Sequence, residues 1–412
     1  MAGLVLDGIR VVDFTHVVAG PLCTMWLGMM GAEVIKVESL RNLDEMRRPR
    51  PTLHGGNAEL SPTDPRYYDF NSRQKGVFLN KKSIRIDLKQ PAGRELAHRL
   101  ISLSDVVVEN FRPGVMERLG LSYEHLRELK PDLILVSISG AGSKGPESSY
   151  GGVAGTFAAQ GGISHLTGYS DSIPTFFRVS GDLTAGATAC LATVAALAHR
   201  QRTQEGMHVD VSARECHSSL IGEVFLDYLM NGRNTSRIGN TDSAMVPHNC
   251  YRCKGEDRWV SISVAWDEEW KALCQVIGAD NLVTDPRFAD SFSRWQNQAA
   301  LDEIIGKWTI GYTDYAVMET LQKAGVAAIP SFSADELFRD PHLRERDSWI
   351  VLDQPGQGQR HDLRLPWKSP STESIRYQRS PLFGEHTAAV LKDVLGLTEE
   401  EIGRLEKEQA LY

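Results

Sequence analysis

The sequence predicts an α/β protein in which a parallel sheet covered by helices is followed by a smaller α+β unit. Three observations support this. Short apolar runs alternate with helical segments from residue 9 to residue 138. A polar stretch, residues 231–248, then interrupts the pattern. Beyond it, residues 250–332 read as strand 259–264 with helices near 267–277, 298–308 and 314–324, the last ending at Gly325.

In order, residues 9–14 form an apolar strand carrying Asp13 at its end. Ala19-Gly20-Pro21 leads into a helix over 22–30, Gly31 fits its C-terminus, and residues 33–37 are the next strand. From 41 to 75 the pattern fails. Arg47, Arg48, Pro49, Arg50, Pro51, His54, Gly55 and Gly56 read as a long irregular loop, a kind that is usually functional or mobile. Residues 83–88 alternate as a strand. Pro91 opens an amphipathic helix with Leu96, Leu100, Ile101 and Leu103 on one face. Strands at 105–109 and 133–138 flank a turn after Pro113 and a helix at 123–129. A Gly/Ser-rich stretch, 139–168, precedes a small-residue helix at 184–199, whose alanines imply close helix packing in a core or a subunit interface. A strand at 207–211 and a long helix at 213–230 follow. After Pro341 the chain reads as irregular until a charged helix at 398–409, where Thr398 and Glu401 have capping-box spacing.

Length and composition narrow the function classes. At roughly 150 residues per domain, 412 residues imply two or three domains and a core that needs no disulfide scaffold. A net charge of −8 argues against broad nucleic-acid binding. No run of ~18 apolar residues and no signal-peptide pattern occurs. The six cysteines are scattered, so a reduced, cytoplasmic protein is expected. Cys250 and Cys253 have C-x-x-C spacing, but no second close pair completes a zinc site and a strand-like stretch follows, so they read as incidental thiols.

The P-loop, G-x-S-x-G, H-E-x-x-H and first-turn G-x-G-x-x-G patterns are all absent. Asp182, in Val179-Ser180-Gly181-Asp182-Leu183, has two readings: a helix N-cap, or a nucleophilic carboxylate beside a glycine at a helix N-terminus. Glu109-Asn110-Phe111-Arg112-Pro113-Gly114-Val115-Met116-Glu117-Arg118 lies where a strand ends and a helix begins, the usual ligand position in α/β folds; its two arginines would hold phosphates or simply be solvated. Lys81, Lys82 and Arg85 read as a solvated basic run. His16 follows the first strand at the same sheet end and would either line a site or cap the turn.

These segments resemble the family III CoA-transferases, the group of formyl-CoA transferase, carnitine CoA-transferase and α-methylacyl-CoA racemase. The resemblance runs in family order through Leu6-Asp7-Gly8-Ile9-Arg10-Val11-Val12-Asp13, Ala19-Gly20-Pro21, Gly31-Ala32-Glu33-Val34-Ile35-Lys36-Val37-Glu38, Asn80-Lys81-Lys82-Ser83 and Glu109-Asn110-Phe111-Arg112-Pro113-Gly114. It continues through Gly206-Met207-His208-Val209-Asp210-Val211 and Phe383-Gly384-Glu385-His386-Thr387. It implies a Rossmann-like large domain, residues 1–230 completed by 335–412, and a small α+β domain at 231–334. It also implies an interlocked dimer, or a heteromer with a related subunit. Asp182 falls on the family's catalytic aspartate, which carries the acyl and CoA groups in turn through an anhydride and an aspartyl-CoA thioester. Asn110, Phe111 and Arg118 fall on positions that contact CoA, and His16, Val17 and Val18 on the segment lining the thioester end. Coenzyme A is implied as a thioester substrate, with no tightly bound cofactor and no metal, nucleic acid or membrane partner.

Two departures bear on the substrate. Val18 stands where formyl-CoA transferase has glutamine, which weakens oxalate as acceptor, and residues 239–248 lack that enzyme's glycine run. The racemase branch needs a histidine in a Gly-His-Asp word, but Gly151-Gly152-Val153-Ala154-Gly155 contains none, and His165 lies outside the word. The sequence thus favours an acyl-CoA:carboxylate CoA-transferase. Succinyl-CoA is the expected donor and Arg47, Arg48 and Arg178 would bind a second carboxylate. An acyl-CoA racemase and a CoA-binding subunit of a heteromer are the alternatives.

Overall fold

The computed structural model describes residues 3–48, 65–69, 76–177, 180–370, 373 and 375–412. Residues 49–64 and 70–75, most of the expected long loop, lie outside the described residues, as does Arg178. The chain divides into two compact units: residues 1–163, 176–226 and 345–412, and residues 164–175 and 227–344.

The larger unit is built on a six-stranded sheet: β1 Arg10–Asp13, β2 Glu33–Glu38, β3 Lys81–Arg85, β4 Val106–Glu109, β5 Ile134–Ser139 and β6 Met207–Ser212. Its order is β3-β2-β1-β4-β5-β6 and every pairing is parallel. Its helices are α1 Ala19–Met29, α2 Pro91–Ser102, α3 Val115–Arg118, α4 Tyr123–Leu129, α5 Ala154–Gln160, α7 Ser180–Thr203 and α8 Ala213–Ser218, while α6 Ile163–Leu166 and α9 Gly222–Asn231 each straddle the division between the two units. The expected single helix at 213–230 is thus two.

Strand periodicity distributes the core. Val11, Val34, Val106 and Val108 point to one face, against Ala19, Cys23 and Leu27 of α1 and Ala185, Ala189 and Cys190 of α7. Val12, Ile35 and Val107 point to the other, against Leu96, Leu100 and Ile101 of α2. Val390, Leu391, Ile402 and Leu405 from the chain end complete this second face. They belong to α16 Thr387–Asp393 and α17 Glu399–Lys407, numbered after the small unit's helices, and Thr398 forms the expected capping box with Glu401. The stretch before them is not irregular throughout: β10 Trp349–Gln354 and β11 Gly358–Leu363 pair as an antiparallel hairpin. Polar residues on both faces of β11, Gln359 and His361 exposed and Arg360 and Asp362 partly buried, hide this strand from an apolar reading.

The smaller unit pairs β7 His248–Arg252, β8 Trp259–Ser263 and β9 Ala327–Pro330 in an antiparallel sheet. It carries α10 Asp267–Val276, α11 Ser291–Gln296, α12 Gln298–Thr309, α13 Asp314–Lys323, α14 Ala334–Arg339 and, at its end, α15 Pro341–Glu345. Val260, Ile262, Trp270, Leu273, Leu301, Ile305, Val317 and Leu321 form its core. Cys253 is buried among them and Cys250 sits on β7; all six cysteines of the chain are free thiols.

Helix α7 is longer than expected, 24 residues instead of 16, and reaches back through Asp182. By length and a mean hydropathy of 1.4 it is apolar enough to cross a membrane. Its small residues instead pack on α1 and the sheet within the larger unit. At Gly186 the approach to α1 is close: an added Cβ would lie 2.5 Å from the Ala19 carbonyl oxygen. Gly186→Val is therefore expected to lower unfolding stability by about 1–3 kcal/mol in urea denaturation, because main chain cannot yield as a side chain does.

Candidate functional site

The strand order reverses between β1 and β4, and in open α/β sheets ligands bind in the crevice at the carboxyl ends of such strands. His16 follows β1 and Asn110 follows β4, and the two meet there. The His16 N–H donates to Asn110 Oδ1 at 2.7 Å, and Asn110 Nδ2 donates to the His16 carbonyl at 2.8 Å. Asn110 thus engages protein at both ends of its amide. Phe111 stands edge-on to the His16 ring, 5.6 Å between centroids. Burial holds the His16 imidazole below its usual range, so the ring is neutral at pH 7.

Val17 has φ of +66°, an uncommon conformation for a β-branched residue. Val18 is the N-cap of α1 and supplies no side-chain cap; the Leu22 N–H is bonded to its carbonyl. Because Ala19 and Gly20 start a helix, their N–H groups have no intrahelical acceptor and are free in kind to face an anion.

Beneath this turn lies a charged cluster that sequence reasoning missed. Asp13 is fully buried and accepts from the Thr15 N–H (2.8 Å) and hydroxyl (2.5 Å), from Thr24 Oγ1 (2.7 Å) and from Lys81 Nζ (2.9 Å). Burial alone would raise the Asp13 carboxyl; Lys81, Lys36 and the two threonines outweigh it and hold it well below the usual range. Lys36, in register with Asp13 on the neighbouring strand, donates to the Thr15 carbonyl (2.5 Å) and pairs with Asp44 (3.3 Å).

Two expectations are corrected here. Lys81 is not a solvated surface charge but is buried, its ammonium pulled down to about 8 by burial against the opposing pull of Asp13. Arg47 does not offer a second-carboxylate site. It is buried, bidentate to Glu38 (2.7 Å and 2.7 Å) and paired with Asp69 (2.6 Å). Arg48 is exposed. The missed signal was charge inside apolar strands, Lys36 in Val-Ile-Lys-Val above all. A strand buried on both faces admits such a group only if it is paired.

Asp182 is the third residue of α7, inside the helix rather than capping it. It is half-buried, and desolvation raises its carboxyl above the usual range, with no cation among the described residues contributing. Gly181 is required by contact: a Cβ there would lie 2.5 Å from the Ala154 carbonyl oxygen, so the start of α5 abuts the turn carrying Asp182. Gly186, one helical turn on and on the same face, abuts Ala19 at the start of α1. Asp182 therefore lies on the side of α7 that meets the α1 N-terminus.

A cleft at the ends of β4, β5 and β6 is lined by Glu109, Phe111, Arg112, Ser137, His208 and Asp210, among others. Glu109 Oε2 accepts from the Phe111 N–H at 2.7 Å, and Ser137 Oγ and His208 Nε2 are 2.9 Å apart. Arg112 lies over Gly151, where a Cβ would meet its guanidinium at 2.4 Å. Arg118 is exposed on α3 and does not line this cleft. Among the described residues no group of three or more His, Cys, Asp or Glu is placed to hold a metal ion.

Lys81→Met removes the direct ion-pair partner of the buried Asp13 carboxylate and is expected to cost about 3–5 kcal/mol in denaturant unfolding. Burial raises the Glu109 carboxyl from 4.5 to about 7. Between those values the folded chain keeps a proton that the unfolded chain has lost, so this contribution is full below pH 4.5 and disappears as pH rises through 7. The change is on the order of 3 kcal/mol, and Glu109→Gln should flatten the stability profile over that window.

The CoA-transferase family III model matches residues 6–387. Over 98% of both chains the sequence is 34% identical to the succinyl-CoA–D-citramalate CoA-transferase of Chloroflexus aurantiacus. It is 33% identical to the succinyl-CoA:mesaconate CoA-transferase of Haloarcula hispanica, over 94% of this chain and 96% of that one. A solved CAIB/BAIF family protein from Brucella suis superposes with a TM-score of 0.82 at 30% identity, covering 95% of this chain and all of the other. With this match across nearly its whole length, the chain belongs to CoA-transferase family III and is an enzyme of CoA transfer.

Proposed function

We propose that the protein moves CoA from succinyl-CoA to a carboxylic acid acceptor through Asp182. The observation that carries this reading is the setting of Asp182: a desolvated carboxylate without a cation partner among the described residues, in the first turn of α7, on the face that meets the start of α1. A carboxylate partly withdrawn from water and not neutralised by a neighbouring cation is a better nucleophile than a solvated one. Its Oδ attacks the thioester carbonyl, the C–S bond breaks, and CoA leaves as thiolate from a mixed anhydride. The thiolate then attacks the aspartyl carbonyl carbon, which forms an aspartyl-CoA thioester and releases the donor acid. The acceptor carboxylate displaces CoA again to give a second anhydride, and the returning thiolate completes the acceptor's thioester. Main-chain N–H groups opening α1 are positioned in kind to stabilise the oxyanions.

Succinyl-CoA as donor draws support from relatives whose names carry it, and a dicarboxylate acceptor from D-citramalate and mesaconate in those same names. The racemase reading is disfavoured because the segment abutting Gly181 presents the Ala154 main chain, and residues 151–163 contain no histidine to act as second base. We further propose that two chains assemble. Helix α9 has no buried residue, and Phe225, Leu226, Tyr228, Leu229 and Met230 are all exposed, an apolar surface of the sort that partners cover.

Three measurements test these readings. Asp182→Asn should abolish CoA exchange between labelled succinate and succinyl-CoA by roughly 10³-fold or more, as loss of a nucleophile does. In the wild type, hydroxylamine added with succinyl-CoA should convert Asp182 to the hydroxamate, seen by peptide mass. Full exchange in the Asn variant would overturn the reading. For assembly, Leu229→Glu with Met230→Glu should shift the sedimentation coefficient to that of a single chain.

A further inference from the structure

We propose that Asp44 is a positioning residue for CoA transfer, holding the Val17 peptide in its left-handed conformation. This rests on the reading of residues 16–18 as the lining of the thioester end. The conformation requires a holder. A β-branched residue at φ of +66° is strained by about 1–3 kcal/mol. Val17 is itself exposed, so core packing does not impose the geometry. What fixes it is a hydrogen bond: the Val17 N–H donates to Asp44 Oδ1 at 3.1 Å.

Asp44 is equipped for this. It is buried, and the same oxygen accepts from the Met46 N–H at 2.9 Å, so the carboxylate is locked by its own loop. Its other oxygen pairs with Lys36 at 3.3 Å, and Lys36 in turn donates to the Thr15 carbonyl at 2.5 Å. Three consecutive peptides are therefore tied from three sides. Thr15 is held by Asp13 and Lys36, His16 by Asn110 on both faces, and Val17 by Asp44. Among the described residues Asp44 supplies the side-chain bond to the N–H of the strained residue, directly before Val18 caps α1. Losing it allows Val17 to relax to negative φ, which re-aims His16 and the first N–H groups of α1 without removing any group that touches substrate.

The test is a double-mutant cycle between positions 44 and 17. Asp44→Ala is expected to lower kcat/KM for acyl-CoA roughly ten- to hundred-fold, the scale of an ångström misplacement in an active site. Glycine reaches positive φ without a Cβ penalty, so in a Val17→Gly background the same Asp44 substitution should cost less than about three-fold. Asp44→Asn keeps an acceptor oxygen for both N–H groups. It should stay within about three-fold of wild type, and serves if the alanine variant does not fold. Equal losses from Asp44→Ala in both backgrounds would overturn the positioning role while leaving the site reading intact. Accelerated amide exchange at Val17 in Asp44→Ala with unchanged transfer would instead overturn the reading of the turn as part of the site, and the proposal with it.

Discussion

The structure of the site depends on one buried ion pair, Asp13 with Lys81. The Asp13 carboxylate closes β1, Lys81 opens β3, and the same ammonium donates to the Pro21 carbonyl and the Thr24 hydroxyl of α1. A charge in this position is expensive unless every lone pair is engaged, and here Thr15, Thr24 and Lys81 engage them. The consequence is geometric. The end of β1, the start of β3, the body of α1 and the turn at Thr15 are held to one another by a single group, and the His16–Val17–Val18 segment leaves from that point.

Around this pair the charges extend outward in a chain. Lys36 links the Thr15 carbonyl to Asp44, and Glu38 on the same strand holds Arg47, which also reaches Asp69. Arg47 also lies 5.2 Å from the Phe78 ring and 5.7 Å from that of Phe383, so its cation is covered by aromatic faces rather than by water. Residues far apart in sequence thereby become one rigid base beneath the switch point of the sheet. Asn110 ties the turn at His16 to the end of β4, and the catalytic candidate arrives on a long helix seated by glycine contacts.

Asp182 contrasts with Asp13. Asp13 is fully withdrawn from water and Asp182 only in part, and among the described residues donors and cations surround Asp13 but not Asp182. The same side chain is therefore a structural anchor in one place and, in the other, a carboxylate raised above its usual range, where we propose it acts as the nucleophile. Environment, not residue type, separates the two roles.

Much of this was legible in the sequence. Alternating apolar runs and helical segments determined the parallel sheet, because a strand buried on both faces must be apolar throughout. The motif words determined the family, and the Ser-Gly-Asp word singled out Asp182. Local signals also fixed the final helix through its capping box. Other features needed the tertiary structure. Whether Lys81 and Arg47 meet water or carboxylates depends on partners on other elements, from 9 to 68 residues away, and a lysine reads the same in both settings. The β10–β11 hairpin was hidden because its exposed polar strand lacks apolar alternation. The clamp on Val17 was hidden because a left-handed valine is stable only when groups from β1, β4 and the segment after β2 converge on it, and that convergence is a property of the folded sheet.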